Sequence, residues 1–247
     1  MTNLAQHVNR GFQQWMIGCF LAMTFFSPVS FAQSSSEIIQ NPIRLEQDLK
    51  LDSKRKPLEM LNFIQAKPGM KVLDVFSGGG YTAQLMALAV GPTGKAYALN
   101  IRSFPALEER LKEHPQANLI SVVASLNELL PPSMDRQIDI VTIINSYHDL
   151  VNINPDIQVM NKRISDLLKP GGMLIIRDHA AKEGAGKSTT KTLHRIDSAA
   201  VIADFESIGF QKVAEGDFLK NPKDTKEEHS NQTATPTEGF IIKFVKR

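Results

Sequence analysis

The feature that most constrains this chain is an apolar segment that runs directly into three consecutive glycines. Residues 72–82 read VLDVFSGGGYT, with Asp74 as the one charged residue. A short, nearly continuous apolar run is typical of a buried parallel strand. Glycines after such a strand let the backbone approach a ligand closely, because no Cβ intervenes. The segment therefore predicts a strand, a tight turn and a helix at the ligand-binding edge of an α/β sheet.

Strand-like and helix-like segments continue to alternate along the chain. Apolar runs predict five parallel strands, at residues 72–76, 96–99, 119–124, 138–144 and 173–176. Helical patterns lie between them, at residues 81–90, 105–114 and 154–168. A helix at 198–208 then precedes two strands, 210–219 and 240–245, which are joined by an exposed connection and predict an antiparallel pair. The predicted fold is α/β: a Rossmann-like, mostly parallel seven-stranded sheet with helices on both faces and a C-terminal antiparallel hairpin.

The first 32 residues differ in character from the rest of the chain. Arg10 is their one charged side chain, an apolar run follows at residues 15–26, and Ser30-Phe31-Ala32 completes the pattern of a cleaved secretory signal peptide. An uncleaved membrane anchor is the alternative, although the run is shorter than the roughly 20 residues that span a bilayer. We therefore expect a signal peptide at 1–32, a linker and N-terminal arm at 33–57, and the main domain at 58–247. The predicted location is periplasmic or secreted, in a bacterium.

Composition limits the partners of the mature chain. The net charge of the whole chain is +2, and its single cysteine, Cys19, lies in the expected leader. A chain without a thiol suits an oxidising compartment, and a balanced charge without a basic groove argues against nucleic acid. No later apolar run is long enough to cross a bilayer, so we expect no stable membrane insertion after leader cleavage. The sequence leaves the oligomeric state open.

Two phosphate-binding motifs compete for the glycines of the chain. Gly78, Gly80 and Ala83 satisfy the G-x-G-x-x-A spacing of a dinucleotide site, which keeps a nicotinamide-dependent reductase open as an alternative. A P-loop at Gly186 is excluded, because Ala181 replaces its first glycine. A buried carboxylate at Asp74 would repel a pyrophosphate and favour a ligand that carries an ammonium group.

Three segments together resemble the class I S-adenosylmethionine-dependent methyltransferases, and among them the exported predicted methyltransferases of bacteria. They are residues 72–100, 139–150 and 167–179, and the resemblance extends over about 65–247, so that the main domain is methyltransferase-like. It implies S-adenosylmethionine as the cofactor, with the glycine turn at its methionine and ribose and Asp74 near its amino group. The implied cofactor-binding residues are Asp74, Ser77, Gly78, Gly79, Gly80, Asn100, Ser125 and Asn145. The chain departs from the family pattern at Phe76, where a glycine is usual, and at Asn100, where an acid is usual.

Catalytic groups are expected beyond the carboxyl ends of the fourth and fifth strands. The candidates there are His148, Asp149, His179 and His194. Three interpretations stay open: a general base oriented by Asp149 or Asp178, a set of metal ligands, or side chains that stabilise loops. The sequence alone assigns no metal to them. Arg195 and Asp197 are expected to pair with each other and to cap the helix that follows.

The function predicted from these features is S-adenosylmethionine-dependent methyl transfer. The acceptor is unknown and expected to be a small molecule. The alternative is a catalytically inactive, secreted protein that binds a small ligand on the same fold.

Overall fold

One mixed sheet organises residues 33–247, the part of the chain that the computed structural model describes. The expected leader, residues 1–32, lies outside the described residues. The strands are β1 (Lys71–Val75), β2 (Lys95–Asn100), β3 (Leu119–Val123), β4 (Ile138–Ile144), β5 (Leu168–His179), β6 (Phe210–Gly216) and β7 (Gly239–Lys246). They lie in the order β3-β2-β1-β4-β5-β7-β6. The first five strands pair in parallel, and β7 runs antiparallel to β5 and β6, which confirms the predicted fold class.

Helices cover both faces of this sheet. They are α1 (Ser35–Ile39), α2 (Glu46–Leu49), α3 (Asp52–Arg55), α4 (Pro57–Ile64), α5 (Tyr81–Val90), α6 (Pro105–Glu113), α7 (Tyr147–Ile153), α8 (Ile157–Leu167), α9 (Thr190–Leu193) and α10 (Ser198–Glu206). The side chains of successive residues in a strand point to opposite faces of the sheet. Ile140 accordingly packs with α4 and α5, whereas Val141 packs with α7, α8 and α10 on the other face. None of the helices within residues 33–247 has the length and apolar character needed to span a membrane.

Most predicted elements are present, and two differ from the prediction. The run at residues 169–172 was expected to end a helix, but it opens β5 instead, with a register shift where Ile138 and Ile140 pair with it. Residues 147–153, to which the sequence analysis assigned no element, form α7. That helix spans only two turns, and its burial of Tyr147 and Leu150 against the core, rather than a long periodic pattern, holds it in place.

The segment expected as a linker and arm contains three short helices. Ser34 and Glu37 form a reciprocal capping box that starts α1, and Ile38 is buried against the core of the main domain. The polar stretch at residues 33–37 therefore begins a docked helix rather than a free linker.

The connection between β6 and β7 is largely exposed but is anchored to the domain by buried contacts, among them one with Arg195. Asp224 accepts two hydrogen bonds from the fully buried guanidinium of Arg195, at 2.8 and 3.1 Å. The expected pairing of Arg195 with Asp197 is therefore wrong, because the guanidinium reaches a partner 29 residues away. Asp197 does cap α10, since its side chain accepts from the backbone N–H of Ala199.

Candidate active site

The glycine turn lies at the carboxyl end of β1 and leads directly into α5. Its backbone is left-handed at Phe76, Gly78 and Gly80, with φ angles of 58°, 57° and 82°. The left-handed conformation costs a residue with a Cβ about 1–2 kcal/mol, so Phe76 is strained where the family pattern has a glycine. A Cβ on Gly80 would lie 2.7 Å from Leu107 Cδ1, whereas for one on Gly78 the nearest atom within residues 33–247 would be Phe104 Cζ, at 3.9 Å. The turn is thus packed at Gly80 and open at Gly78.

Asp74 lies beside this turn, as predicted. Its carboxylate is buried and accepts hydrogen bonds from Ser77 Oγ at 2.6 Å and from Thr142 Oγ1 at 2.7 Å. Burial raises the pKa of Asp74 to about 6, against the opposing effect of the two hydroxyls and of nearby Arg55. A bound cation would favour the ionised form of this group.

Asn100 ends β2 and holds the turn from the side. Its Oδ1 accepts from the backbone N–H of Gly78 at 2.9 Å, and its Nδ2 donates to the carbonyl of Gly78 at 3.1 Å. Each of these side-chain atoms keeps one further hydrogen-bonding position. Asn100 therefore fixes the turn and can still contact a ligand.

An apolar edge follows the carboxyl ends of β2 and β3. Ile101, Phe104 and Val123 are exposed there by 44%, 38% and 57%. Phe104 Cζ is the nearest atom to the open side of Gly78, so this edge adjoins the glycine turn. Ser125, a predicted cofactor ligand, is exposed just beyond β3 and donates to Glu128 at 3.1 Å.

The N-terminal arm packs over the turn through one buried and one partly buried network of charged side chains. In the first, Arg110 donates to both carboxylate oxygens of Asp48 and to the carbonyl of Gly79, which is part of the turn. In the second network, the Asp52 carboxylate accepts hydrogen bonds from Arg44 and from the Tyr81 hydroxyl at the start of α5. The Arg55 guanidinium completes this network, because it stacks on the Tyr81 ring, 4.4 Å from the ring centre. The arm is therefore part of the site.

A cavity of about 710 Å³ lies between the arm, the ends of β4 and β5, and the connection from β6 to β7. Asn145, a predicted cofactor ligand, lines it just after β4 with a left-handed backbone, φ 56°. Its basic lining residues are Lys54, Arg55, Lys56, Arg177, Lys220 and Lys223. None of these six forms an ion pair with a carboxylate of residues 33–247. We call this the basic cavity.

Arg177 is the buried member of this set. It donates to the backbone carbonyls of Arg55 and Lys54, at 2.8 and 3.3 Å. Burial lowers the pKa of Arg177 to about 10, a value at which the group stays charged at neutral pH. Among the described residues the one acidic side chain in the lining is Asp178, which accepts hydrogen bonds from the backbone N–H groups of His148 and His179. The cavity therefore has a positive excess.

The structure divides the four predicted catalytic residues into two groups. His179 lines the basic cavity, and its Nδ1 lies 2.8 Å from Thr237 Oγ1. Burial lowers the pKa of His179 to about 4, so its imidazole is neutral at neutral pH. His148, Asp149 and His194 form a separate compact cluster, and the ring centre of His148 lies 6.1 Å from that of His179. We call these three residues the His–Asp cluster.

Asp178 orients the buried member of this cluster. Its Oδ1 lies 2.7 Å from His148 Nδ1, which directs His148 Nε2 towards His194 Nδ1 at 3.3 Å. Burial alone would lower the pKa of His148, but the hydrogen bond and charge of Asp178, with Asp149, outweigh it and raise this pKa. Orientation by Asp178 was one of the alternatives left open by the sequence.

The sequence analysis missed several residues of the site, among them His229 and Arg177. His229 lies in the connection from β6 to β7, with its ring centre 4.3 Å from that of His194, and nothing local marks it. Arg177 interrupts the apolar run of β5, and a charged residue inside a buried strand is a signal that would have found it.

Comparison with known proteins places the chain in a family. Residues 66–230 match the methyltransferase domain family. The ubiquinone/menaquinone biosynthesis C-methyltransferase UbiE of Shewanella sp. strain W3-18-1 is 30% identical over 113 residues, which are 45% of this chain and 43% of the relative. The protein-L-isoaspartate O-methyltransferase 1 of Arabidopsis thaliana is 25% identical over 144 residues, 58% of this chain and 61% of the relative. The chain thus spans less than two thirds of each of these relatives.

A solved structure shows the same fold. The crystal structure of a SAM-dependent methyltransferase from Aquifex aeolicus superposes with a TM-score of 0.60 at 18% identity, covering 87% of this chain and all of the other. The chain belongs to the methyltransferase domain family. The predicted resemblance to the class I S-adenosylmethionine-dependent methyltransferases is thereby confirmed at the level of family and fold.

Proposed function

We propose that this protein methylates a small, negatively charged acceptor that binds in the basic cavity, and that it does so outside the cytoplasm. The observation that carries the acceptor class is the lining of that cavity by six cationic side chains without an ion-pair partner among the described residues. Unpaired cations around a concave, partly buried site favour an anionic ligand.

The residues at the glycine turn fit the cofactor. Asp74 supplies a buried carboxylate for the ammonium group, and the open side of Gly78 leaves space for the ligand. The N-terminus of α5 faces the turn and favours a carboxylate. The exposed apolar edge of Ile101, Phe104 and Val123 suits the face of an adenine ring. When bound, S-adenosylmethionine supplies an electrophilic methyl group.

The basic cavity adjoins this cofactor site through the arm and through β4. Arg55 lines the cavity and also lowers the pKa of Asp74, so it lies between the two sites. Asn145, at the end of β4, lines the cavity as well. The buried Ser230 Oγ, on the cavity wall, has no hydrogen-bond partner among the described residues and is available to an acceptor.

His179 is placed in this cavity to orient an acceptor hydroxyl. Its Nδ1 is engaged with Thr237, which leaves Nε2 as the nitrogen that can accept a hydrogen bond. Because the lowered pKa keeps the ring neutral, Nε2 can accept a hydrogen bond from an acceptor hydroxyl and orient it as the methyl group is transferred. Arg177 would hold the anionic end of the same molecule.

A paired panel of acceptors tests the proposal. Small hydroxyl and amine compounds with a carboxylate or phosphate are compared with neutral analogues, and S-adenosylhomocysteine formation is measured. We expect turnover with anionic members only, and a loss of at least roughly tenfold in kcat/KM in the double variant K220Q/K223Q, since both lysines are exposed and removable. Lys95→Gln, at the amino end of β2, is the matched control.

The outcomes separate the competing functions. Turnover that prefers neutral acceptors, or that is unchanged in K220Q/K223Q, contradicts an anionic acceptor. Binding of S-adenosylmethionine without turnover on any compound favours the inactive ligand-binding protein. Binding of NADH in place of S-adenosylmethionine would favour the reductase.

The proposed location rests on residues 1–32, with their single charge, apolar run and small residues before position 33. Expression of the whole chain in a bacterium, followed by osmotic release of the periplasm, tests it. We expect a released protein whose N-terminus is Gln33. Full-length protein retained in the cytoplasm or the membrane would contradict the proposal.

A further inference from the structure

We propose that the His–Asp cluster is a binding site for one divalent transition-metal ion of the zinc type. Its donor atoms are His148 Nε2, His194 Nδ1 and one carboxylate oxygen of Asp149, which lie within 4.8 Å of one another. The site is distinct from the glycine turn, and its occupation by metal does not depend on the proposed acceptor.

The spacing of the three donor atoms matches a tetrahedral ion. His148 Nε2 lies 3.3 Å from His194 Nδ1 and 3.4 Å from Asp149 Oδ1, and the third side of the triangle is 3.6 Å. Bonds of about 2.0–2.2 Å at tetrahedral angles separate neighbouring ligand atoms by about 3.4 Å. A point equidistant from these three atoms lies about 2 Å from each, which is the length of a bond from zinc to nitrogen or oxygen.

The fold holds the ligands in this arrangement. His148 and Asp149 are neighbours in the first turn of α7, and α7 packs against α9, which ends immediately before His194. Asp178 binds His148 Nδ1 at 2.7 Å and so presents Nε2 to the other two ligands. A carboxylate on the far nitrogen of a ligating histidine is the usual support of a metal site. The His229 ring also packs against the His194 ring.

The donor set selects the kind of ion. Two imidazole nitrogens and one carboxylate favour zinc or a similar transition metal over magnesium and calcium, which prefer oxygen ligands. Three protein ligands leave a fourth position free for water or another ligand, as at catalytic zinc sites. His194 and Asp149 are each about one-third exposed, so an ion can enter from solvent.

A hydrogen bond between the two imidazoles is the competing explanation of the 3.3 Å contact. That explanation gives Asp149 no essential role, since the contact between His148 and His194 would persist without its charge. Asp149→Asn therefore separates the two explanations, because it keeps the size of the side chain and removes an anionic ligand.

The test is metal binding by the full mature chain. After treatment with a chelator, the protein is titrated with Zn²⁺ by calorimetry and with Co²⁺ by visible absorption. We expect one ion per chain and the intense absorption of tetrahedral Co²⁺. Asp149→Asn and His194→Ala should each weaken Zn²⁺ binding by at least about 100-fold. Asp178→Asn should weaken it by about 10–100-fold, because Asp178 holds the His148 ring in the ligating orientation.

His114→Ala is the matched control, because His114 lies at the end of α6, away from the cluster. It should bind Zn²⁺ as the unaltered protein does. Absence of stoichiometric Zn²⁺ binding to the unaltered chain would overturn the proposal. Unchanged affinity in Asp149→Asn, verified as folded by circular dichroism, would overturn it equally. Neither readout requires methyl transfer, so failure here leaves the proposed function standing.

Discussion

The side chain of Asn100 is hydrogen-bonded to both backbone polar groups of Gly78, at 2.9 and 3.1 Å. The end of β2 thereby fixes the open part of the glycine turn, which follows β1. A carboxylate at this position would lose the donor that satisfies the Gly78 carbonyl. The departure from the usual acid therefore has a structural reason in this chain.

Asn100→Ala is expected to weaken S-adenosylmethionine binding by at least about tenfold, because it frees the turn and removes the hydrogen-bond partners of two partly buried backbone groups of Gly78. Calorimetric titration measures the affinity. Asn118→Ala is a matched control, since Asn118 Nδ2 also binds two backbone carbonyls but does so at the opposite end of α5. Equal loss of affinity in both variants would show that Asn100 acts through general stability alone.

The two ends of the glycine turn should respond differently to alanine. Gly78 and Gly80 both have positive φ angles, so both variants bear the strain of a left-handed Cβ. Gly80→Ala adds a clash with Leu107 and should be less stable than Gly78→Ala by about 1–3 kcal/mol in denaturant unfolding. Gly78→Ala should remain folded and lose cofactor affinity. Normal affinity in that variant would place the ligand elsewhere.

Cofactor affinity should depend on pH through Asp74. The pKa of this group is raised to about 6, and the ammonium of the cofactor favours its ionised form. Below pH 6 Asp74 carries a proton that must be released before the cofactor binds, so the affinity should fall about tenfold for each unit by which the pH is lowered. Above pH 6 Asp74 is already ionised, and its titration should no longer change the affinity. Titrations between pH 5 and pH 8 measure the profile.

Asp74→Asn should bind more weakly and without this dependence. Asp139→Asn is the control, because Asp139 lies in β4 beside Lys71 and Lys169, at the amino end of the strands. It should keep the pH profile of the unaltered chain. A profile without a change near pH 6 in the unaltered protein would contradict the assignment of Asp74 to the ammonium group.

The stability of the docked arm should depend on the ion pair between Arg110 and Asp48. Their side chains are 2% and 5% exposed, so Asp48→Asn leaves a buried guanidinium without its counter-charge. The expected loss is about 3–5 kcal/mol in the free energy of unfolding. Glu46→Gln, which breaks an exposed pair with Lys50 in the same helix, should change it by less than about 1 kcal/mol. Similar losses in the two variants would show that the arm does not rely on this contact.

The sequence predicted the sheet and the glycine turn because both have local causes. Apolar runs of strand length mark β1 to β4 within a few residues, and Gly78–Gly80 allow backbone angles that other residues resist. The boundaries of β5 and the presence of α7 were not predictable in this way. They depend on pairing with β4 and β7 and on burial against the core, which no short window of sequence contains.

The sequence by itself determined the class of fold, the position of Asp74 beside the turn, and the edge of the sheet at which the candidate histidines lie, beyond the carboxyl ends of β4 and β5. Tertiary structure alone decided that His148 and Asp149 meet His194, that Arg195 binds Asp224, and that six cations surround one cavity. The physical reason is the distance along the sequence over which each interaction acts. Strand periodicity and glycine backbone angles act over a few residues, whereas these contacts join side chains tens of residues apart that only the packed sheet and its helices bring within reach.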